Sequence, residues 1–124
     1  MTSRDDVLRS LGFPADLAGD ALEVMNGPDD GKRFPLEGEE WVLGRDEAAD
    51  IVLPCDPLVS RRHARLAREK GEFYVVDLDS THGTVANGER LVGRRLLRRG
   101  DLLVIGATVL ELRRGSSGLG ADGD

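Results

Sequence analysis

Aromatic residues and cysteine are scarce in this chain. Aromatic residues make up 4% of its 124 residues, and there is one cysteine, Cys55. A single cysteine can neither close an intramolecular disulfide nor supply a cysteine-based zinc cluster, which fits a reducing compartment. With so few aromatic rings, the predicted core is built mainly from Leu, Val, Ile and Ala. No repeat of about 20–50 residues is visible, so a solenoid is excluded.

The sequence also lacks a positive charge excess and a long apolar run. It has 17 Lys+Arg against 23 Asp+Glu, which gives a formal net charge of −6. This balance disfavours broad electrostatic binding to nucleic acid or to an anionic membrane, although it allows a local basic pocket. The N-terminal segment is neither a secretory signal nor a transmembrane helix, because its apolar residues are scattered among charges. We therefore expect a cytoplasmic protein that binds neither membrane nor nucleic acid.

The chain does contain a series of short strand-like segments separated by turns. The candidate strands are residues 21–25, 32–36, 40–43, 51–53, 63–67, 73–78, 102–105 and 109–113. Asn87-Gly88 is a strong hairpin signal, since a tight primed turn needs positive φ at both positions. The apolar run Leu102–Ile105 predicts a strand covered on both faces. Strands this short and evenly spaced favour an all-β sandwich or barrel.

These patterns predict one domain with two appendages. Residues 1–20 form an N-terminal extension, in which Ser3 and Asp6 are a capping pair for a short helix. Residues 21–113 form the β-domain. Residues 114–124 are rich in Gly, Ser and Asp, which predicts a disordered tail.

Polar groups concentrate in the predicted loops of the β-domain. Gly44-Arg45 ends one strand, Ser60–His63 opens another, and Ser80–Thr84 follows a third. These segments supply a guanidinium, hydroxyls and loop N–H groups. Such a donor-rich set is suited to a doubly charged phosphate ester.

At these loops the sequence resembles the forkhead-associated (FHA) domain family. The matching motifs, in chain order, are G-R (44–45), D-I-x-L (50–53), S-R-x-H (60–63), D-x-x-S-x-x-G-T (77–84), N-G (87–88) and G-D-x-x-x-I-G (100–106). Together these motifs extend the resemblance over residues 21–113. The resemblance implies a twisted β-sandwich of about eleven strands that binds phosphothreonine peptides without catalysis, cofactor or metal.

The resemblance also implies roles for individual residues. The family's phosphate-binding positions correspond to Arg45, Ser60 and Thr81. Positions at which family members contact or select the peptide correspond to Arg61, His82 and Leu58. Positions that hold the loops in shape correspond to Gly44, His63, Gly83, Thr84 and Asn87.

One position departs from the family pattern. His82 stands where the family usually has an asparagine that hydrogen-bonds the main chain of the ligand. An amide donates and accepts together, whereas a neutral imidazole nitrogen does one or the other, so His82 either substitutes in part or weakens the grip on the peptide. The resemblance also implies that the loop before the S-R-x-H motif reads the third residue after the phosphothreonine. Leu58 and Val59 in this loop suggest an apolar preference there.

Three functions compete at the level of sequence. The first is a phosphothreonine-binding module that recruits or senses proteins phosphorylated by Ser/Thr kinases, with the chain's own N-terminal tail, through Thr2, as a further ligand. The second is a degenerate FHA scaffold that binds an unphosphorylated partner. The third is a small hydrolase or metal enzyme using Ser60 and His63, which lacks an orienting acid and a metal-ligand spacing.

Three further features have plain structural interpretations. Trp41 is expected to pack in the core or on a sheet face, and Cys55 is expected to be a half-buried loop residue. The basic segment Arg94–Arg99 is expected to form a solvated hairpin that flanks a core pair of leucines, given the acidic net charge.

Overall fold

A computed structural model of the chain describes residues 19–114, which contain eleven strands and no helix. The strands are β1 (Asp20–Val24), β2 (Arg33–Pro35), β3 (Glu40–Gly44), β4 (Ile51–Val52), β5 (Ala64–Glu69), β6 (Glu72–Asp77), β7 (Thr84–Ala86), β8 (Glu89–Arg90), β9 (Arg95–Leu97), β10 (Leu102–Ile105) and β11 (Thr108–Arg114). The predicted N-terminal helix and the predicted disordered tail lie outside the described residues.

The strands form two sheets that enclose one core. One sheet has the order β2-β1-β11-β10-β7-β8, and the other has the order β4-β3-β5-β6-β9. The β3–β4 pair is parallel, whereas the other strand pairs are antiparallel. The predicted all-β sandwich of about eleven strands is confirmed.

Alternating side chains explain which face of each strand is buried. In β5 Ala64 and Leu66 are fully buried whereas Arg65 is exposed, and in β11 Leu110 and Leu112 are buried whereas their neighbours are not. Successive side chains of a strand point to opposite faces, so each sheet places its leucines toward the other. The core is accordingly aliphatic, as the composition predicted.

The Asn87-Gly88 hairpin is confirmed. Asn87 has φ 49° and Gly88 has φ 83°, so both residues adopt the left-handed backbone that a two-residue primed turn requires. The turn joins β7 to β8, with Ala86 opposite Glu89. Asn87 Oδ1 also accepts the Leu102 N–H at 2.9 Å, which fixes the hairpin to β10.

Trp41 lies in the core at 5% exposure, as predicted. Its ring centroid is 6.1 Å from that of Phe73. The guanidinium of Arg68 lies over both rings and donates to the carbonyl of Gly38 at 2.8 Å. This corner therefore combines aromatic packing with a cation whose charge remains hydrogen-bonded.

Four local predictions are wrong. The run Leu102–Ile105 is not covered on both faces, because Leu102 is 41% exposed and Val104 is half-buried. Cys55 is exposed rather than half-buried. Val59 is 1% exposed and belongs to the core, so of the two apolar residues expected to face a ligand in this loop Leu58 alone is exposed.

The segment Arg94–Arg99 is the fourth correction. It contains strand β9, which pairs with β6, instead of a solvated hairpin. Leu97 is buried but Leu96 is half-buried, so one leucine enters the core instead of a pair. Arg94 lies over the Tyr74 ring at 4.1 Å and Arg99 pairs with Asp20, which uses these charges within the fold.

Substitutions on the two faces of β10 test whether Leu103 is buried and Leu102 is exposed. We expect Leu103→Ala to lower the free energy of unfolding by about 2–5 kcal/mol, because it leaves a cavity at a fully buried site. The matched Leu102→Ala should cost no more than about 0.5 kcal/mol, because that side chain faces solvent. Urea denaturation of both variants measures the difference, and equal losses would restore the strand covered on both faces.

Candidate functional site

Arg45 begins the β3–β4 loop at a point where two stretches of backbone nearly touch. Gly44 precedes it, and a β-carbon at Gly44 would collide with the Arg61 carbonyl, so this approach requires glycine. The Arg45 N–H donates to the Ser60 carbonyl at 3.0 Å, and its Nε–H donates to the Val59 carbonyl at 2.9 Å. The guanidinium is therefore held against the β4–β5 loop.

The terminal nitrogens of Arg45 remain available. Arg45 is exposed, and within residues 19–114 these two nitrogens donate to no protein group. A guanidinium with one edge fixed and the other free presents a planar fork of donors to solvent. That geometry suits an oxyanion with several acceptor oxygens.

Ser60 connects the β4–β5 loop to the β6–β7 loop. Its Oγ accepts the Thr81 N–H at 3.0 Å, although the two residues are 21 positions apart. Because the oxygen is the acceptor in this bond, the hydroxyl proton is free to donate to a ligand. Thr81 and its neighbour His82 are both exposed, and the Thr81 hydroxyl has no hydrogen-bond partner within residues 19–114.

His63 is fully buried and both of its ring nitrogens are used. Nδ1 accepts the Ser60 N–H at 3.0 Å, so the ring proton is on Nε2, which donates to the Gly83 carbonyl at 2.8 Å. The imidazole thus ties the same two loops together from inside. Its contacts are to backbone, not to the Ser60 hydroxyl, and this arrangement gives no support to a Ser-His hydrolytic pair.

Asp77 holds the shape of the β6–β7 loop. Its carboxylate accepts the Ser80 hydroxyl at 2.6 Å, the Ser80 N–H at 3.0 Å and the Thr84 hydroxyl at 2.7 Å. Ser80 Oγ in turn accepts the Gly83 N–H at 2.8 Å. Partial burial acts to raise the pKa of Asp77, but these hydrogen bonds outweigh it and leave the pKa below its usual value of 3.8.

Asp56 does the same for the β4–β5 loop. Its carboxylate accepts the Leu58 N–H at 2.9 Å, the Ala107 N–H at 2.8 Å and the Thr108 hydroxyl at 2.7 Å. Burial again acts to raise the pKa, and the hydrogen bonds again bring it below 3.8. Gly106 leaves room for this contact, because a β-carbon there would lie 2.9 Å from Asp56 Oδ2.

The structure brings most of the expected site residues to one end of the sandwich. Hydrogen bonds join the segments that carry Arg45, Ser60 and Thr81, and His82 and the exposed Arg61 lie beside them in sequence. Leu58 is 44% exposed on the same loop as Ser60. Asn87 lies apart, in the turn at the other end of β7, where it supports the sheet rather than the loops.

Sequence reasoning did not single out Asp56 and Asp77 as loop-positioning residues. Asp77 and Ser80 stand in the D-x-x-S-x-x-G-T motif, so a local signal existed for them. The contact of Asp56 with Thr108 spans 52 residues and had no local signal. Among residues 19–114 no group of three or more His, Cys, Asp or Glu side chains is placed to hold a metal ion. None of the described residues forms a helix that could span a membrane.

The Asp77 contacts predict an acid-sensitive loop. Since the folded pKa lies below 3.8, the carboxylate contributes stability fully above that value and loses it as the pH falls through the folded pKa. We expect Asp77→Asn to lower the free energy of unfolding by about 1–2 kcal/mol at pH 7, because charge-assisted hydrogen bonds are lost. This range is smaller than for a fully buried carboxylate, because Asp77 is partly exposed to solvent. Urea denaturation across the acid range measures this.

The control is Asp79→Asn, an identical substitution at an exposed position of the same loop. The gap between wild type and Asp77→Asn should close below the folded pKa of Asp77. A gap of constant size from neutral to strongly acid pH would contradict the role given to the ionised carboxylate.

Comparison with known proteins agrees with this architecture. A family model described as Yop-YscD, the cytoplasmic domain of an inner membrane component of T3SS, matches residues 23–116. The glycogen accumulation regulator GarA of Mycolicibacterium smegmatis is 43% identical over 95 residues, which are 77% of this chain and 58% of that protein. The oxoglutarate dehydrogenase inhibitor of Corynebacterium efficiens is 43% identical over 90 residues, 72% of this chain and 62% of its own length.

The chain therefore spans less than two thirds of the length of these curated relatives. Among solved structures, the FhaA FHA domain, crystallised in complex with the intracellular domain of another protein, has a TM-score of 0.68 and 30% identity. That match covers 76% of this chain and 99% of the FhaA domain. The chain belongs to the family of forkhead-associated and Yop-YscD cytoplasmic domains.

Proposed function

We propose that this domain binds phosphothreonine peptides and thereby recruits or senses proteins phosphorylated by Ser/Thr kinases. The observation that carries the proposal is the hydrogen-bonded junction of three loops, which presents Arg45, Ser60 and Thr81 together. Solved relatives point the same way. One with 29% identity and a TM-score of 0.69 comes from a study of phosphothreonine-dependent FHA interactions, and EmbR of Mycobacterium tuberculosis was solved with a phosphopeptide.

The donors match the chemistry of a phosphate monoester. A phosphorylated side chain carries about −1.5 to −2 charges and three strong acceptor oxygens at neutral pH. In our proposal the free edge of Arg45 donates to two of these oxygens. The hydroxyls of Ser60 and Thr81 donate to the rest, and the Ser60 proton is available because its oxygen already accepts the Thr81 N–H.

Hydrogen bonds within the protein hold the loops in this arrangement. We assign supporting roles to four residues that hold the loops. Gly44 allows the close approach of the Arg61 carbonyl, His63 donates to the Gly83 carbonyl, and the Thr84 hydroxyl donates to Asp77. Fixing donors in advance reduces the ordering cost of binding. We assign contacts with the rest of the peptide to Arg61, His82 and Leu58, which are all exposed at this end.

The proposed partners are phosphothreonine proteins, namely a Ser/Thr kinase or its substrates. The curated relatives are named as a regulator and as an enzyme inhibitor, which fits a binding module better than a catalyst. We therefore propose that the domain itself has no catalytic activity and needs no cofactor. The N-terminal tail with Thr2, which lies outside the described residues, stays a proposed further ligand.

Loss of the guanidinium tests the phosphate site. We expect Arg45→Ala to weaken binding of a phosphothreonine peptide at least about tenfold, since a charge-assisted hydrogen bond contributes about 1.5–3 kcal/mol. Isothermal titration of phosphothreonine, phosphoserine and unmodified versions of one peptide should rank them in that order. Arg98→Ala, which removes the same charge from an exposed position in the β9–β10 turn, should bind like wild type.

Two outcomes would contradict the proposed function. One is equal affinity for all three peptides. The other is capture of an unmodified protein partner that survives Arg45→Ala, which is what a degenerate scaffold would show.

The His82 position is tested by restoring the usual family residue. We expect His82→Asn to tighten binding of the phosphothreonine peptide about two- to tenfold, because an amide donates to and accepts from the ligand main chain at once. His82→Ala is the control, and it should bind no tighter than wild type. If His82→Asn and His82→Ala bind alike in the same titration, the side chain at this position does not contact the ligand.

A further inference from the structure

Arg90 places a guanidinium directly on the backbone of Gly83. If Gly83 carried a β-carbon, that atom would lie 2.7 Å from Arg90 Nη2 and 2.8 Å from Arg90 Cζ. The space a side chain would fill is therefore occupied by the planar head of Arg90. Gly83 has φ +81°, which already favours glycine, so the missing side chain serves both the turn and this contact.

The strand pairing keeps Arg90 beside the candidate site. Residue Arg90 of β8 lies opposite Val85 of β7, and the next N–H, from Leu91, donates to the Thr84 carbonyl at 2.9 Å. Strand β7 starts where the β6–β7 loop ends. Arg90 therefore lies next to Gly83, the residue that follows His82.

Arg90 has no counter-ion within the part of the chain that the structure describes, in contrast to six other arginines there. Six other arginines pair with a carboxylate: Arg33, Arg65, Arg95 and Arg113 on strands, and Arg94 and Arg99 in the segments that flank β9. Within residues 19–114 Arg90 makes no ion pair and donates no side-chain hydrogen bond, and it is exposed. Its immediate neighbour Glu89 pairs with Arg95 instead, at 3.0 Å.

These observations point to a ligand of negative charge. A guanidinium laid flat on backbone is held in orientation, and its donor edge recognises a carboxylate through paired hydrogen bonds. We infer that Arg90 is a specificity-determining residue that binds an acidic side chain close to the phosphothreonine of the ligand. The inference rests on the proposed function and adds a second anionic requirement, at a point separate from Arg45.

The test uses oriented peptide libraries as probes. Each library fixes phosphothreonine and fixes one of the three positions on either side as Glu or as Gln, and the other positions are mixed. With wild-type protein we expect Glu to be preferred over Gln by about two- to fivefold at one or two positions, the range of a solvent-exposed ion pair. Arg90→Gln should abolish this preference while binding to phosphothreonine itself remains.

Reversing the charge of Arg90 distinguishes a ligand contact from a structural role. Arg90→Glu should prefer libraries with Lys over libraries with Gln at the same positions, which a merely structural arginine would not produce. Arg98→Gln is the matched control. It removes an equal charge from an exposed position in the β9–β10 turn and should leave the Glu preference intact. Melting temperatures of all variants confirm folding.

Each outcome decides the inference. A Glu preference that disappears in Arg90→Gln and survives in Arg98→Gln supports it. Phosphothreonine binding with no Glu preference, or with one that Arg90→Gln leaves unchanged, overturns the role of Arg90 and leaves the proposed function standing. No phosphate-dependent binding by wild type overturns both.

Discussion

The candidate site depends on hydrogen bonds that cross from one loop to another at the end of the sandwich. Ser60 and His63 of the β4–β5 loop hold the β6–β7 loop, one through its hydroxyl oxygen and the other through a buried imidazole. Arg45, in the β3–β4 loop, donates two hydrogen bonds to carbonyls of the β4–β5 loop. Each of these bonds has a backbone group as one partner, so the main chain of each loop is fixed relative to the next. The donor groups of Arg45, Ser60 and Thr81 are therefore held by the backbone of these loops.

Two carboxylates extend this constraint away from the site. Asp77 organises the β6–β7 loop from within, and Asp56 fastens the β4–β5 loop to the β10–β11 turn through Thr108. Each carboxylate accepts three hydrogen bonds, which offset the cost of its partial burial. The aliphatic core supplies the rigid sheets, whereas these polar contacts determine how the loops leave them. The positions of the site residues therefore depend both on the packed core and on these polar contacts.

The distribution of charge explains how an acidic protein can carry a basic site. The net charge is −6, and six arginines among residues 19–114 are paired with carboxylates. Arg45, Arg61 and Arg90 lie at or beside the joined loops and have no ion pair within the part of the chain that the structure describes. Attraction for an anion is therefore local, which favours a compact charged group over a polyanion. The net charge alone disfavoured binding to a polyanion, but it could not locate the site.

Local pattern was enough to find eight of the eleven strands, the Asn87-Gly88 turn and the donor-rich loops, because alternation and left-handed turns are properties of neighbouring residues. It missed the short strands β7, β8 and β9. It failed for Leu102 and Val59, since which face the second sheet covers depends on packing between distant segments. The bond between Asp56 and Thr108 likewise arises only when the sheets close. The contact of Arg90 with Gly83 crosses the β7–β8 hairpin, whose turn local pattern predicted, but nothing in the sequence indicated that this guanidinium lies on Gly83. The sequence by itself determined which groups the loops carry. The tertiary structure decided which of them meet, because each such meeting depends on a strand pairing that local pattern does not encode.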